Sequence, residues 1–180
     1  MKKFELTTEF ITNAFGKKLF RIKALVEFGD VKAGELGGYV EKEENVSQDG
    51  DAWVSGNAEV SGDAKVRGNA EVSGDAKVRD NAEVSGNAWV RGNAEVSGDA
   101  EVRDNADYTL VQGFGTKFRC TTFYRGKNKK IMVNCGCFHG DLEGFRKQVK
   151  ETRSGKIAKE YLMIADLMEY HFTSEDSSDE

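Results

Sequence analysis

Between residues 52 and 107 the apolar positions repeat with a strict period of six. Ala recurs from Ala52 and Ala58 through to Ala106, and a Val stands two places after each of the first nine, from Val54 to Val102. A turn-forming pair closes each unit, as in Gly56-Asn57, Gly62-Asp63 and Asp80-Asn81. Residues two apart share a face of a strand, so Ala and Val point inward and the residues between them outward. Gly, Asn and Asp tolerate the left-handed backbone of a sharp corner. A short strand and a corner, repeated in threes, coil into a triangular prism with 18 residues per turn. The pattern therefore predicts a short parallel β-helix of the hexapeptide kind, expected to be left-handed, about three coils and roughly 15 Å tall. A disordered low-complexity tract is excluded because the phase never slips.

The 18-residue period also sorts the outward residues. One face carries Trp53, Glu71 and Trp89, the second Glu59, Lys77 and Glu95, the third Lys65, Glu83 and Glu101. The second face is an alternating charge ladder, and the first holds both tryptophans of the chain.

Outside the repeat, alternation predicts strands at 3–14 and 18–28, joined by Phe15-Gly16-Lys17 into a hairpin. Val40 and Val46 are six apart and predict an irregular opening coil; the step from Val46 to Val54 is eight, with Gln48-Asp49-Gly50 as a bulged corner. A β-helix exposes strand edges at both ends and needs caps; the hairpin is expected to cap one. After Tyr108-Thr109-Leu110-Val111, residues 116–125 and 130–138 predict a second hairpin around Gly126-Lys127-Asn128-Lys129. A tight turn there sets Cys120 near Cys135 and puts Phe118, Cys120, Thr122 and Tyr124 on one face with Ile131, Val133, Cys135 and Cys137. Two helices follow, Leu142–Glu151 with Asp141 as N-cap, and Lys156–Phe172 with a stripe of Ile157, Tyr161, Ile164, Ala165, Met168 and Phe172. The chain thus divides into an N-terminal β-hairpin cap (1–35), the β-helix (36–110), a C-terminal ββαα module (111–172) and an acidic tail (173–180) expected to be disordered.

Composition adds three limits. No apolar run reaches 18 residues and the start lacks a signal-peptide core, so a soluble cytoplasmic protein with no membrane partner is expected. Three Cys make a disulfide framework unexpected. The net charge of −5 conceals a split: residues 51–107 carry 6 basic and 12 acidic side chains, whereas residues 108–172 carry 12 and 6. An acidic prism joined to a basic module suits a nucleic acid, an anionic ligand, or each other.

Val31-Lys32-Ala33-Gly34-Glu35-Leu36-Gly37-Gly38-Tyr39-Val40-Glu41, with Asn45-Val46-Ser47, Gly50 and Trp53-Val54 after it, resembles the opening segment of the enterobacterial YdcK-like hexapeptide-repeat proteins. Cys135-Gly136-Cys137-Phe138-His139-Gly140, leading to Lys156-Ile157-Ala158-Lys159-Glu160-Tyr161-Leu162, resembles modules in hypothetical proteins of phages and prophages of Gram-positive bacteria. These resemblances imply the β-helix and a phage or prophage origin; the transferase label attached to such folds is an analogy and not a site.

Four constellations could carry chemistry. Hexapeptide acyltransferases, as that family implies, use a His near a loop that breaks the coil, but this repeat has neither a His nor such a loop; His139 and His171 lie beyond it. An enzyme is therefore disfavoured and no cofactor is expected. Cys120, Cys135, Cys137 and His139 are zinc-ligand types, but their apolar neighbours favour core thiols and no metal site. Lys117, Arg119, Arg125, Lys127, Lys129 and Lys130 fall within 14 residues with no acid among them. With Phe123 and Phe138 predicted on the face of Arg119 and Arg125, they form a candidate surface for a nucleic acid or a host protein; the bland alternative docks this hairpin on the acidic prism. Finally, Trp53 and Trp89 with Arg67, Arg79, Arg91 and Arg103 form a candidate ligand site: indole stacks on rings and guanidinium holds phosphate. Burial of the tryptophans in a homotrimer or under the hairpin is the plainer reading.

The function expected from this is a non-catalytic phage-type binding protein, homotrimeric, that interferes with a host system by sequestering a small nucleotide-like anion between subunits. The alternatives are an anti-defence inhibitor acting through the basic hairpin and, last, an acyltransferase.

Overall fold

The structure, a computed structural model, describes residues 2–127 and 129–173. Strands β1 (Phe4–Thr12), β2 (Lys18–Ala24) and β3 (Leu36–Val40) precede a 3-10 turn at Glu43–Asn45. Two-residue strands follow every six residues: β4 (Trp53–Val54), β5 (Glu59–Val60), β6 (Lys65–Val66), β7 (Glu71–Val72), β8 (Lys77–Val78), β9 (Glu83–Val84), β10 (Trp89–Val90), β11 (Glu95–Val96) and β12 (Glu101–Val102). Then come β13 (Tyr108–Phe114), β14 (Arg119–Arg125), β15 (Ile131–Cys135) and β16 (Phe138–Asp141), and helices α1 (Leu142–Thr152) and α2 (Gly155–Thr173).

Each third repeat strand pairs in parallel with the next, giving the columns β4-β7-β10, β5-β8-β11 and β6-β9-β12 of a three-sided β-helix. Every pair is in register, Val over Val. The alanines from Ala52 to Ala100 and the valines from Val54 to Val102 are buried, and each buried Val contributes about 1.5–3 kcal/mol. Ala106 is exposed, so the inward pattern ends at Val102. At the corners Asn side chains stack one coil apart, Asn57 on Asp75 and Asn81 on Asp99. Asp80 replaces the usual corner Gly and still holds φ 62; its carboxylate accepts from the Gly98 N–H below. The irregular opening coil is present, with Tyr39 paired to Glu59 and Val46 bridged to Val66.

Both ends of the prism are closed by side chains that stand in for a missing strand. At the top, Lys3 Nζ donates to the carbonyls of Ala52 (2.8 Å) and Gly50 (3.1 Å), and the buried Asn45 amide donates to those of Ala64 and Gly62. The hairpin β1-β2 pairs antiparallel with β3 and extends the sheet of the second face. At the bottom, the Trp89 N–H donates to Asn105 Oδ1 and its carbonyl accepts from the Tyr108 hydroxyl. The Glu95 N–H donates to Thr122 Oγ1 and its carbonyl accepts from Asn134 Nδ2. Unpaired edge groups are costly once buried, which is why polar Thr122 and Asn134 lie inside the molecule.

The C-terminal module holds the predicted hairpin, β14-β15, flanked by two further strands. It is a four-stranded antiparallel meander, β13-β14-β15-β16, followed by the two helices. Its register is also one residue away from the expected one: Tyr124 faces Met132, Phe123 faces Val133, and Cys135 faces Thr121, not Cys120. A one-residue slip turns every side chain to the other face. Tyr124 and Met132 therefore lie on the prism, whereas Phe123 and Val133 lie under α1 and α2 with Phe145 and Val149. Both faces of this sheet are covered, so its apolar pattern does not distinguish the two registers. Asp141 caps α1 as expected, its carboxylate accepting from the Gly144 N–H at 2.9 Å. Arg146 clamps α1 to α2 through Glu143, Asp166 and Glu169. Of the acidic tail, Thr173 ends α2 and the rest lies outside the described residues. Among the described residues no helix is long and apolar enough to cross a membrane.

Candidate anion site of the C-terminal module

The two tryptophans occupy one column, each paired with Glu71, yet their surroundings differ. Trp53 does not point into solvent. It is 3% exposed, covered by the rings of Phe4 and Phe28 at 6.2 and 5.4 Å. It is seated under the N-terminal hairpin, the plainer of the two readings of the sequence, and is closed to a ligand, because the hairpin cap needs an apolar seat on the first coil. Trp89, on the last coil, is 42% exposed; its Nε1 donates to Ser73 Oγ, and the Arg91 guanidinium lies 4.7 Å from its ring.

The other repeat arginines are engaged by the prism. Arg67 pairs with Glu83, Arg103 with Glu101, and Arg79 with Glu95 at 3.6 Å while also stacking on Phe15. Arg91 alone of the four makes no ion pair among the described residues. Within one chain, Trp53, Trp89 and the four arginines do not converge on one site.

The basic segment divides in two. Arg125 binds Asp107 at 3.0 Å and the Phe172 carbonyl at 2.8 Å. Lys127 approaches Asp99 at 3.8 Å and Lys130 approaches Asp141 at 3.5 Å. Lys129 sits at the turn with φ 57. Phe123 and Phe138 share the face of Arg119 and Arg125 as predicted, but that face is the one under the helices, and Phe123 is fully buried. This end of the hairpin docks on the acidic prism and on α1 and α2.

Lys117 and Arg119 go elsewhere. They line a recess of ≈ 320 Å³ in the C-terminal module, within the range of small-molecule sites. One wall is the turn between β13 and β14, Gly115-Thr116-Lys117 with Arg119. The opposite wall is Gln148, Val149 and Thr152 of the last turns of α1, with Arg153 just after it. The floor is Phe138, Phe145 and Tyr161, and Cys135 and Cys137 complete the lining. No Asp or Glu lines it, and none of Lys117, Arg119 and Arg153 is ion-paired among the described residues. Three carbonyls at the end of α1 are engaged: Gln148 O accepts from Thr152 Oγ1, Val149 O from the Arg153 N–H and Thr152 O from Arg153 Nη1.

The recess is held open by its aromatic floor. Phe145 makes edge contacts with Phe123 and Tyr161 and a tilted one with Phe138. The Tyr161 hydroxyl donates to the Phe114 carbonyl, and burial raises its pKa, so it remains a neutral donor. Gly115 lies against Tyr161 with φ 70, where a Cβ would overlap the phenol. Gly136, φ 64, lies under Arg119, and a Cβ there would overlap Nη1.

The thiols do not form a metal centre. Cys120 and Cys135 lie on opposite faces of the sheet, and burial pushes the Cys120 thiol pKa up. His139 instead rests against the Gly98 corner of the prism. Among the described residues no three His, Cys, Asp or Glu side chains converge.

Sequence reasoning named Lys117 and Arg119 but missed Arg153, Gln148 and Tyr161, which α1 and α2 bring from some thirty to forty residues away. Only the Gly113-Phe114-Gly115-Thr116-Lys117 run hinted at a special loop. Comparison with protein-family models and with curated proteins returned no match.

Proposed function

We propose that this is a non-catalytic binding protein that captures a small phosphate-bearing anion in the recess of the C-terminal module. One observation carries this reading: three cations, Lys117, Arg119 and Arg153, line one recess free of carboxylates and are neutralised by none among the described residues. Arg67, Arg79 and Arg103 of the prism, by contrast, each sit beside a carboxylate. Guanidinium matches phosphate geometry bidentately, and Lys adds a point charge. Thr116 and Gln148 supply neutral donors for the remaining oxygens. The lining offers neither a His nor a carboxylate to move a proton, which favours capture over turnover. On the phage origin that the sequence resemblance implies, capture would act by withdrawing the anion from a host system.

Calorimetric titration of inorganic pyrophosphate at low ionic strength tests the reading. Binding that weakens with added salt and falls at least tenfold in Arg119→Ala and Arg153→Ala is expected. A wild-type protein that takes up no pyrophosphate would rule it out.

The exposure of Trp89 beside Arg91 favours a second reading, association of copies of the chain as a trimer through the first repeat face. Trp and Arg are the residue types that dominate interface energetics. Sedimentation of wild type and Trp89→Ala tests this: a trimer that the substitution dissociates supports it, and a wild-type monomer ends it.

A further inference from the structure

We infer that the captured anion is a nucleoside phosphate, with its phosphates in the recess and its base on the other side of Arg119, against Phe118. This rests on the recess being the anion site.

The recess does not end at Arg119. A second, more open depression shares Arg119 and Cys137 with the recess and continues toward the last coil of the prism. Its other lining residues include Phe118, Gln112, Asn93 and Glu95. Arg119 lies across Gly136, where the absence of a side chain lets the guanidinium settle between the two hollows. A ligand with an anionic end and a planar polar end would span them with Arg119 at the junction.

Phe118 supplies the platform. It is 67% exposed and has φ 50, a left-handed backbone conformation that bulky side chains avoid. Its ring is held out in solvent between Lys117 and Arg119, where folding alone gives it little to do. Aromatic side chains beside cations are the arrangement on which nucleobases stack. Around it, the Asn93 and Gln112 amides offer both donors and acceptors, and Glu95 offers a carboxylate that also pairs with Arg79 at 3.6 Å. These groups can hydrogen-bond a base edge. The first hollow is cationic and the second polar and aromatic, so one molecule with both kinds of group fits better than a bare anion.

The test is titration of inorganic pyrophosphate, ADP and GDP into the full chain and into Phe118→Ala. Expected is that at least one nucleoside diphosphate binds about tenfold or more tightly than pyrophosphate. Phe118→Ala should remove most of that advantage while leaving pyrophosphate affinity within about twofold. Phe118 is exposed, so the variant should fold; Phe118→Tyr should keep the advantage. Nucleotides that bind no better than pyrophosphate, or an advantage that survives Phe118→Ala, would overturn the inference and leave the anion site standing. No binding of any of the three would remove both.

Discussion

Asn134 Nδ2 donates to the carbonyl of Glu95 at 2.8 Å, the bond that a further coil of the β-helix would otherwise supply. The same amide reaches Ser97 Oγ at 3.0 Å, so one side chain from β15 closes the lower edge of β11. Asn134→Leu should therefore lower stability by about 1–3 kcal/mol, because the Glu95 carbonyl is left facing an apolar group. Urea denaturation checks this; a loss under about 0.5 kcal/mol would mean that the cap is held by packing alone.

Lys3 closes the upper edge at an electrostatic cost. Burial lowers its ammonium pKa to about 8, against the opposing pull of Asp51 and Asp49. Between about pH 8 and 10.5 the unfolded chain then binds more protons than the folded one, so Lys3 makes stability rise with pH across that window. Relative to Lys3→Met, the wild type should gain stability on going from pH 8 to pH 10. Paired denaturation curves at the two pH values give the sign, and a wild type that loses ground would refute it.

The two tryptophans should behave as opposites. Trp53→Ala removes the seat of Phe4 and Phe28 and should cost about 3–5 kcal/mol, whereas Trp89→Ala should cost under about 1 kcal/mol. In single-tryptophan variants (the other replaced by Phe), Trp89 emission should be quenched by iodide and Trp53 emission should not. Equal quenching of both would contradict the buried position of Trp53.

Gly136→Ala should act on the recess through Arg119. A Cβ at φ 64 strains the turn and occupies the space of Nη1, so stability should fall by about 1–2 kcal/mol. Pyrophosphate affinity should fall severalfold with it. Gly92→Ala is the control: its φ is 67 and a Cβ would meet nothing. It should show a comparable loss of stability with unchanged affinity, and matched affinity losses in both variants would exclude a local effect on Arg119.

The prism was legible from residues 52–107 because Ala and Val keep one phase through every corner, and a strand pattern with a dry interior admits one register. The N-terminal hairpin and both helices were legible for similar reasons: Gly16 marks the turn, Asp141 the cap, and the Tyr161–Phe172 stripe has helical spacing. The register of β14 against β15 was not, since Thr122 and Asn134 are buried for their hydrogen bonds and not for their polarity. Burial of Trp53 under the hairpin was legible as the plainer reading, but not the residues that cover it, because nothing local to it announces Phe4 and Phe28. The recess was half legible. Lys117 and Arg119 stand in an acid-free run, but Arg153 joins them only because α1 folds back over the sheet.

Amide chemical-shift mapping during titration with inorganic pyrophosphate tests the central claim most directly. Perturbations concentrated at Thr116, Lys117, Arg119, Gly136, Cys137, Gln148 and Arg153, saturating together, are the predicted result. Shifts centred on Trp89 and Arg91 of the prism, or small unsaturating shifts spread over every surface cation, would contradict it.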